Sequence, residues 1–186
     1  MAFEDFALLQ AAAPELERYL FSEVLYYPLT SGSGRRLSGD TSRLTIGNIL
    51  LAIKKLQADD LPPAEASQLT TLLEQIEQVR THWRTLWQKK VMQEIPNRLN
   101  LWRDYLERLS DSTSTGSGDY RYNVRTRVIL ELLLDEVDDL PPQKEALLRS
   151  MDLKLKAMGT PGKFIWDEPL REVFPEDRFW YLYLQV

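Results

Sequence analysis

Hydrophobic residues recur at three- and four-residue intervals along most of the chain, which is the spacing of one face of an α-helix. Polar segments rich in Gly and Ser separate these stretches. The pattern predicts helices near residues 14–27, 43–57, 97–110 and 121–136, and two more that begin after the proline pairs Pro62–Pro63 and Pro141–Pro142. We therefore predict an all-α fold.

The helix that begins after Pro63 is predicted to be the longest. Its apolar face continues through Trp83 to Val91 and includes one charged residue, Lys90. Because a proline inside a helix removes a backbone hydrogen bond, we expect this helix to end at Pro96.

The helices fall into two similar copies, residues 14–79 and 96–158. The segment Asp59–Pro63 recurs as Asp138–Pro142 at an offset of 79 residues. Around it, ten of 43 aligned positions are identical, where average composition gives roughly three. We predict a single globular domain, residues 1–186, in which a duplicated three-helix unit forms a pseudo-twofold helical bundle.

The C-terminal residues 159–186 depart from the helical pattern and contain seven aromatic side chains. We predict an aromatic tail of irregular or short-strand structure that packs on the bundle, because a large apolar segment is unstable in water. Docking of the tail on a second copy of the chain is the alternative. The candidate partner-binding residues are Phe179, Trp180, Tyr181 and Tyr183.

Composition excludes several kinds of chemistry. The chain has 186 residues, a formal net charge of -5, no Cys and one His, His82. Disulfides, Cys-based zinc sites, thiol nucleophiles and most His-based catalysis are therefore excluded, and a lone His beside Trp83 is interpreted as a surface or packing residue. No apolar run reaches the ~20 residues of a membrane-spanning helix, so we expect a cytoplasmic protein with no membrane segment.

Two loop and turn segments have a second interpretation. The Gly-rich residues 31–36 contain two Arg and could bind phosphate, but they lack P-loop spacing, so a flexible connector is preferred.

The carboxylates of residues 131–139 could hold Mg²⁺ in a metal-dependent phosphohydrolase. At the equivalent positions the first copy has only two carboxylates, Asp59 and Asp60. We therefore interpret the Asp pair that both copies share as part of a turn, in which the Asp side chains cap the next helix. We predict no metal, no cofactor and no catalytic residue.

The middle of the chain is basic. Residues 80–108 contain seven Lys or Arg and three acidic residues, interleaved with three Trp. Such a mixture can bind nucleic acid, and we keep this as an alternative. Because the Trp residues lie on the apolar face and the whole protein is acidic, core packing is the preferred interpretation. Its candidate residues are Arg80, Arg84, Arg98 and Arg103.

The scarcity of nucleophile and base candidates favours a function without catalysis. We predict a protein-protein interaction or assembly module whose partner is another protein or a second copy of the chain. The aromatic tail and the interface between the two copies are the surfaces that support this prediction.

Overall fold

The computed structural model describes residues 2–29, 43–111 and 117–186, and it is mostly helical with a few short strands, which confirms the all-α prediction. The Gly-rich segment 31–36 lies outside the described residues. The chain divides into two compact units, Met1–Glu94 and Ile95–Val186, and the single domain stays a prediction.

In its described residues, the first unit contains helices, a 3₁₀ turn and a short antiparallel strand pair. Leu8, Ile49 and Ile76 are among the residues of its core. Helix α3 begins after Thr45, whose Oγ1 accepts a hydrogen bond from the Asn48 amide at 3.1 Å. In chain order the elements are α1 (Ala2–Ala12), the 3₁₀ turn (Ala13–Glu15), α2 (Leu16–Phe21), β1 (Tyr27–Pro28), β2 (Arg43–Leu44), α3 (Ile46–Leu56) and α4 (Pro63–His82).

The next helix, α5 (Arg84–Asp111), begins in the first unit and ends in the second. The second unit also contains a second antiparallel strand pair, in which Thr160 is paired with Gln185. Its remaining elements are α6 (Ser117–Asn123), α7 (Arg125–Leu134), α8 (Pro142–Met158), β3 (Thr160–Pro161), 3₁₀ helices at Glu168–Glu172 and Trp180–Tyr183, and β4 (Leu184–Gln185).

Helix α5 corrects the prediction that Pro96 ends a helix. Pro96 lies inside α5, and the break occurs at Trp83, where φ is -110° and ψ is 36°. A proline inside a helix costs about 3 kcal/mol. Val91, Ile95 and Leu99 are nearly inaccessible to solvent, and burying each such side chain contributes about 1.5–3 kcal/mol, which offsets the cost.

The boundaries of other helices also differ from the predictions. Helix α1 has no predicted counterpart, and the helix expected over residues 14–27 ends at Phe21. The helix expected over residues 121–136 is divided into α6 and α7 at Val124.

The starts of α4 and α8 show that the predicted Asp caps are wrong. Pro62 and Pro141 occupy the capping positions, and no side chain caps either helix. A proline side chain has no oxygen that accepts a hydrogen bond, so each helix begins through the fixed backbone geometry of the Pro-Pro pair.

Among the residues that the structure describes, no helix is both long enough and apolar enough to cross a bilayer.

Candidate binding groove

The break at Trp83 lies beside an open groove of about 820 Å³ in the first unit. Helix α2 and the last three turns of α4 line this groove, and Trp83 follows directly after α4. The lining residues are Glu17, Glu74, Glu77, Gln78, Val79, Thr81, His82 and Trp83.

Aromatic rings lie around Trp83. The Phe21 ring centroid lies 4.7 Å from that of Trp83 at an interplanar angle of 79°, and the His82 centroid lies 4.6 Å away at 88°. Edge-to-face contacts of this kind are favourable for aromatic pairs. Phe21 is nevertheless 55% exposed, so the cluster presents a large apolar side chain to solvent.

Three exposed carboxylates line the same groove. Glu77 accepts hydrogen bonds from Arg80 Nη1 at 3.2 Å and Thr81 Oγ1 at 3.3 Å. The carboxylates of Glu17 and Glu74 form neither a hydrogen bond nor an ion pair with any residue in the described ranges. The groove therefore carries negative charge that the described residues do not fully compensate.

A buried lysine anchors the segment that follows Phe21. Lys90 Nζ donates hydrogen bonds to the carbonyl oxygens of Ser22 at 2.8 Å and Val24 at 2.7 Å, and it lies 4.5 Å from the centre of the Tyr19 ring. Burial lowers the pKa of Lys90, and the negative charge of Glu23 partly opposes this effect. The anchor fixes the backbone next to the exposed Phe21 side chain.

The predicted tail packs within the second unit. Phe179, Tyr181 and Tyr183 are buried, and Trp180 is half-buried. The Tyr181 carbonyl oxygen accepts a hydrogen bond from the Tyr120 hydroxyl at 2.6 Å. Three of the four candidate partner-binding residues are therefore part of a core, and Trp180 alone offers surface to a partner.

An ion-pair network holds the tail. Arg127 binds Asp152 through two hydrogen bonds of 2.9 and 3.0 Å and binds Glu131 at 2.9 Å. Arg178, from the tail, binds Glu131 at 3.2 Å and Asp135 at 2.7 Å. Burial lowers the pKa of Arg127, but the hydrogen bonds and charges of its acidic partners outweigh burial and raise that pKa.

The carboxylate cluster of residues 131–139 is thus partly engaged by arginines. Glu131 and Asp135 both accept hydrogen bonds from Arg178. Within the ranges that the structure describes, no three acidic, His or Cys side chains are grouped so as to hold a metal ion.

Of the four candidate nucleic-acid residues, Arg80 and Arg103 are in ion pairs and Arg98 is buried. Arg80 binds Glu77, Arg98 is 5% exposed, and Arg84 is exposed. Arg103 lies within ion-pair distance of two neighbouring carboxylates on α5. Of the three Trp residues predicted to fill the core, Trp87 and Trp102 are buried and offer no face for stacking with bases, whereas Trp83 is half-buried.

Sequence reasoning missed the groove. The signal for Lys90 was its position on an apolar helix face, which is unusual for a charged side chain. Nothing in the sequence indicated that Phe21 lies on Trp83, because the two are far apart in the chain and the helix break was not predicted. Comparison of the chain with family models, curated proteins and solved structures gives no match.

Proposed function

We propose that this protein is a non-catalytic interaction module that binds a partner protein at the groove beside Trp83. The observation that carries the proposal is the Phe21–Trp83 pair, an exposed aromatic contact next to a groove of about 820 Å³. Aromatic side chains are enriched among the residues that dominate binding energy at protein interfaces.

The groove is built before any partner arrives. Lys90 fixes the carbonyl groups of Ser22 and Val24, which follow Phe21, and the Trp83 ring supports Phe21 itself. A surface that is already ordered loses less conformational entropy on binding. This preorganisation supports a role in recognition.

The acidic side chains of the groove support recognition over proton transfer. Glu17, Glu74 and Glu77 are all exposed. Enzymes tune catalytic carboxyl groups by burial and by close neighbours, whereas exposed carboxylates act mainly through charge.

Site-specific photo-crosslinking in living cells tests the proposal. A benzoylphenylalanine placed at Phe21 is expected to give a discrete crosslinked product, either with another protein or with a second copy of the chain. Leu153 on α8 is the control position, because it is an apolar residue that is 64% exposed and lies in the other unit. Equal crosslinking at both positions, or none at Phe21, would contradict the proposal.

We also propose that the chain arose by duplication of a three-helix unit. Helix α3 begins at Ile46 and α7 at Arg125, while α4 begins at Pro63 and α8 at Pro142. Both pairs of starts keep the offset of 79 residues found in the sequence. The pseudo-twofold arrangement stays a prediction, and superposition of the two stretches in experimental coordinates tests it.

A further inference from the structure

We propose that the groove beside Trp83 binds a basic segment of the partner protein, with a Lys or Arg side chain held between the carboxylates and the aromatic cluster. This inference rests on the proposed function and adds the chemistry of the partner. Its occupant is an extended peptide segment in which cationic and apolar residues lie close together.

The first observation in support of a basic partner segment is the negative charge of the groove. Glu17 projects from α2, whereas Glu74 and Glu77 project from α4, so carboxylates come from two elements that line one groove. Among the described residues that line it there is no Lys or Arg. A surface with one sign of charge attracts the opposite charge and orients it on approach.

Neighbouring arginines leave most of this charge in place. Arg80 binds Glu77 at 3.2 Å, and its guanidinium lies 5.7 Å from the centre of the Trp87 ring. Arg18, the residue after Glu17, binds Glu15 instead at 3.4 Å. Within the described ranges the carboxylates of Glu17 and Glu74 therefore have no cationic partner, and we infer that they bind a cation of the partner protein.

The aromatic cluster determines which kind of cation fits. Long Lys and Arg side chains place their methylene groups on apolar surface and keep the charged end in a polar environment. Phe21 and Trp83 offer such a surface beside the carboxylates, and aromatic rings also attract a cation directly. A metal ion or a small inorganic cation has no apolar part that could cover the exposed face of Phe21.

The same charges disfavour other partners. Carboxylates at the groove repel the phosphates of nucleic acid and of anionic lipid headgroups. The volume of about 820 Å³ lies within the range of ligand-binding pockets, which is room for a few side chains of a peptide. A basic peptide satisfies the charge, the apolar surface and the volume together.

Fluorescence anisotropy with two labelled peptides tests this inference on the full chain. One peptide alternates Lys and Leu, and the other has Glu in place of every Lys. We expect the Lys peptide to bind, with affinity that falls as salt is raised, and the Glu peptide to bind at least tenfold more weakly. The double variant Glu17→Gln, Glu74→Gln should weaken the Lys peptide roughly 3- to 30-fold at low salt.

A charge-matched variant separates the groove from the general acidity of the protein. Asp138→Asn with Asp139→Asn removes two exposed carboxylates outside the groove and should change the affinity less than twofold. An equal loss in both double variants would overturn the inference, because the peptide would then sense net charge alone. Circular dichroism of each variant checks that the helices are intact.

Phe21→Ala distinguishes the failure of this inference from the failure of the proposed function. If the Glu peptide binds as well as the Lys peptide and Phe21→Ala abolishes both, the groove binds a partner but the basic chemistry is overturned. If neither peptide binds while position 21 crosslinks in cells, only the inference fails. If position 21 also gives no crosslink, both proposals fail.

Discussion

The two units bury a cation in different ways. Lys90 in the first unit is 1% exposed and is held by two backbone carbonyl oxygens and the Tyr19 ring. Arg127 in the second unit is 4% exposed and is held by two carboxylates, Asp152 and Glu131. The first cation has neutral partners and the second has charged ones.

The two buried charges have different roles in their units. Carbonyl dipoles compensate a charge only in part, and the pKa of Lys90 is lowered. The carboxylates of Asp152 and Glu131 outweigh the effect of burial, and the pKa of Arg127 is raised. Lys90 therefore serves mainly to position the segment next to Phe21, whereas Arg127 links α7, α8 and, through Glu131, the Arg178 side chain of the tail.

The largest expected effect comes from breaking the Arg127 network. Arg127→Met leaves Asp152 without its bidentate partner and should lower the free energy of unfolding of the second unit by about 3–5 kcal/mol. Native-state hydrogen exchange of the α7 and α8 amides measures this loss. Arg149→Met, which removes an exposed ion pair with Glu145, should cost less than about 1 kcal/mol. Similar costs for the two variants would contradict the comparison.

The Lys90 variant should have a smaller and more local effect. Lys90→Met removes the donor from the carbonyl groups of Ser22 and Val24 and should cost about 1–3 kcal/mol, since these carbonyls lie near solvent. Hydrogen exchange should become faster in residues 22–26. The exposed neighbour Lys89 provides the control, and Lys89→Met should leave this exchange unchanged. Unchanged exchange in Lys90→Met would mean that the anchor does not hold the segment.

Alkaline pH should affect the two units with opposite signs. The folded pKa of Lys90 lies below its ordinary value of 10.5, so between these values the unfolded chain binds more protons and stability rises with pH. Burial raises the pKa of Tyr120 above its ordinary value of 10.0, so the unfolded chain loses its proton first and stability falls as pH rises above 10.0.

Urea unfolding between pH 8 and 11, followed by circular dichroism, separates these contributions. The difference in stability between the native chain and Lys90→Met should increase with pH, and the difference from Tyr120→Phe should decrease above pH 10. Tyr122→Phe changes a 59% exposed side chain and serves as the control. Parallel pH curves for all the proteins would contradict the assignment.

The smallest expected effect concerns the outer part of the arginine network. Arg178→Gln removes a half-buried partner of Glu131 and Asp135 but leaves Arg127 in place, so the expected cost is about 1 kcal/mol. Adding Arg127→Met to it should give a combined loss that differs from the sum, because both arginines share Glu131. Strict additivity would show that the two arginines act independently.

Local sequence signals predicted much of the fold. The starts of α4 and α8 follow from their proline pairs, and α3 follows from its apolar spacing. The break at Trp83 and the continuation of α5 through Pro96 did not follow, because tertiary burial outweighs the local preference of a proline. Helix periodicity cannot show which distant segment covers a helix.

The candidate groove was harder to predict than the fold. Lys90 could be recognised from the sequence because it is a charged residue on an apolar helix face. In the arginine network of the second unit, Glu131 could also be recognised, since it follows Arg127 by one helical turn, a spacing that favours ion pairs. Asp152 and Arg178 are far from Arg127 in the chain, so no spacing rule identified them. The contact of Phe21 with Trp83 could not be predicted either, because these two residues are also far apart in the chain.

The way Lys90 is held has a consequence for evolution. Every amino acid has a backbone carbonyl, so substitutions at Ser22 and Val24 can change the side chains there and still leave an acceptor for the lysine. The side chains of this segment can therefore diversify, and with them the choice of partner, while the anchor persists. Arg127 allows no such freedom, because each of its acceptors is the carboxylate of one particular residue.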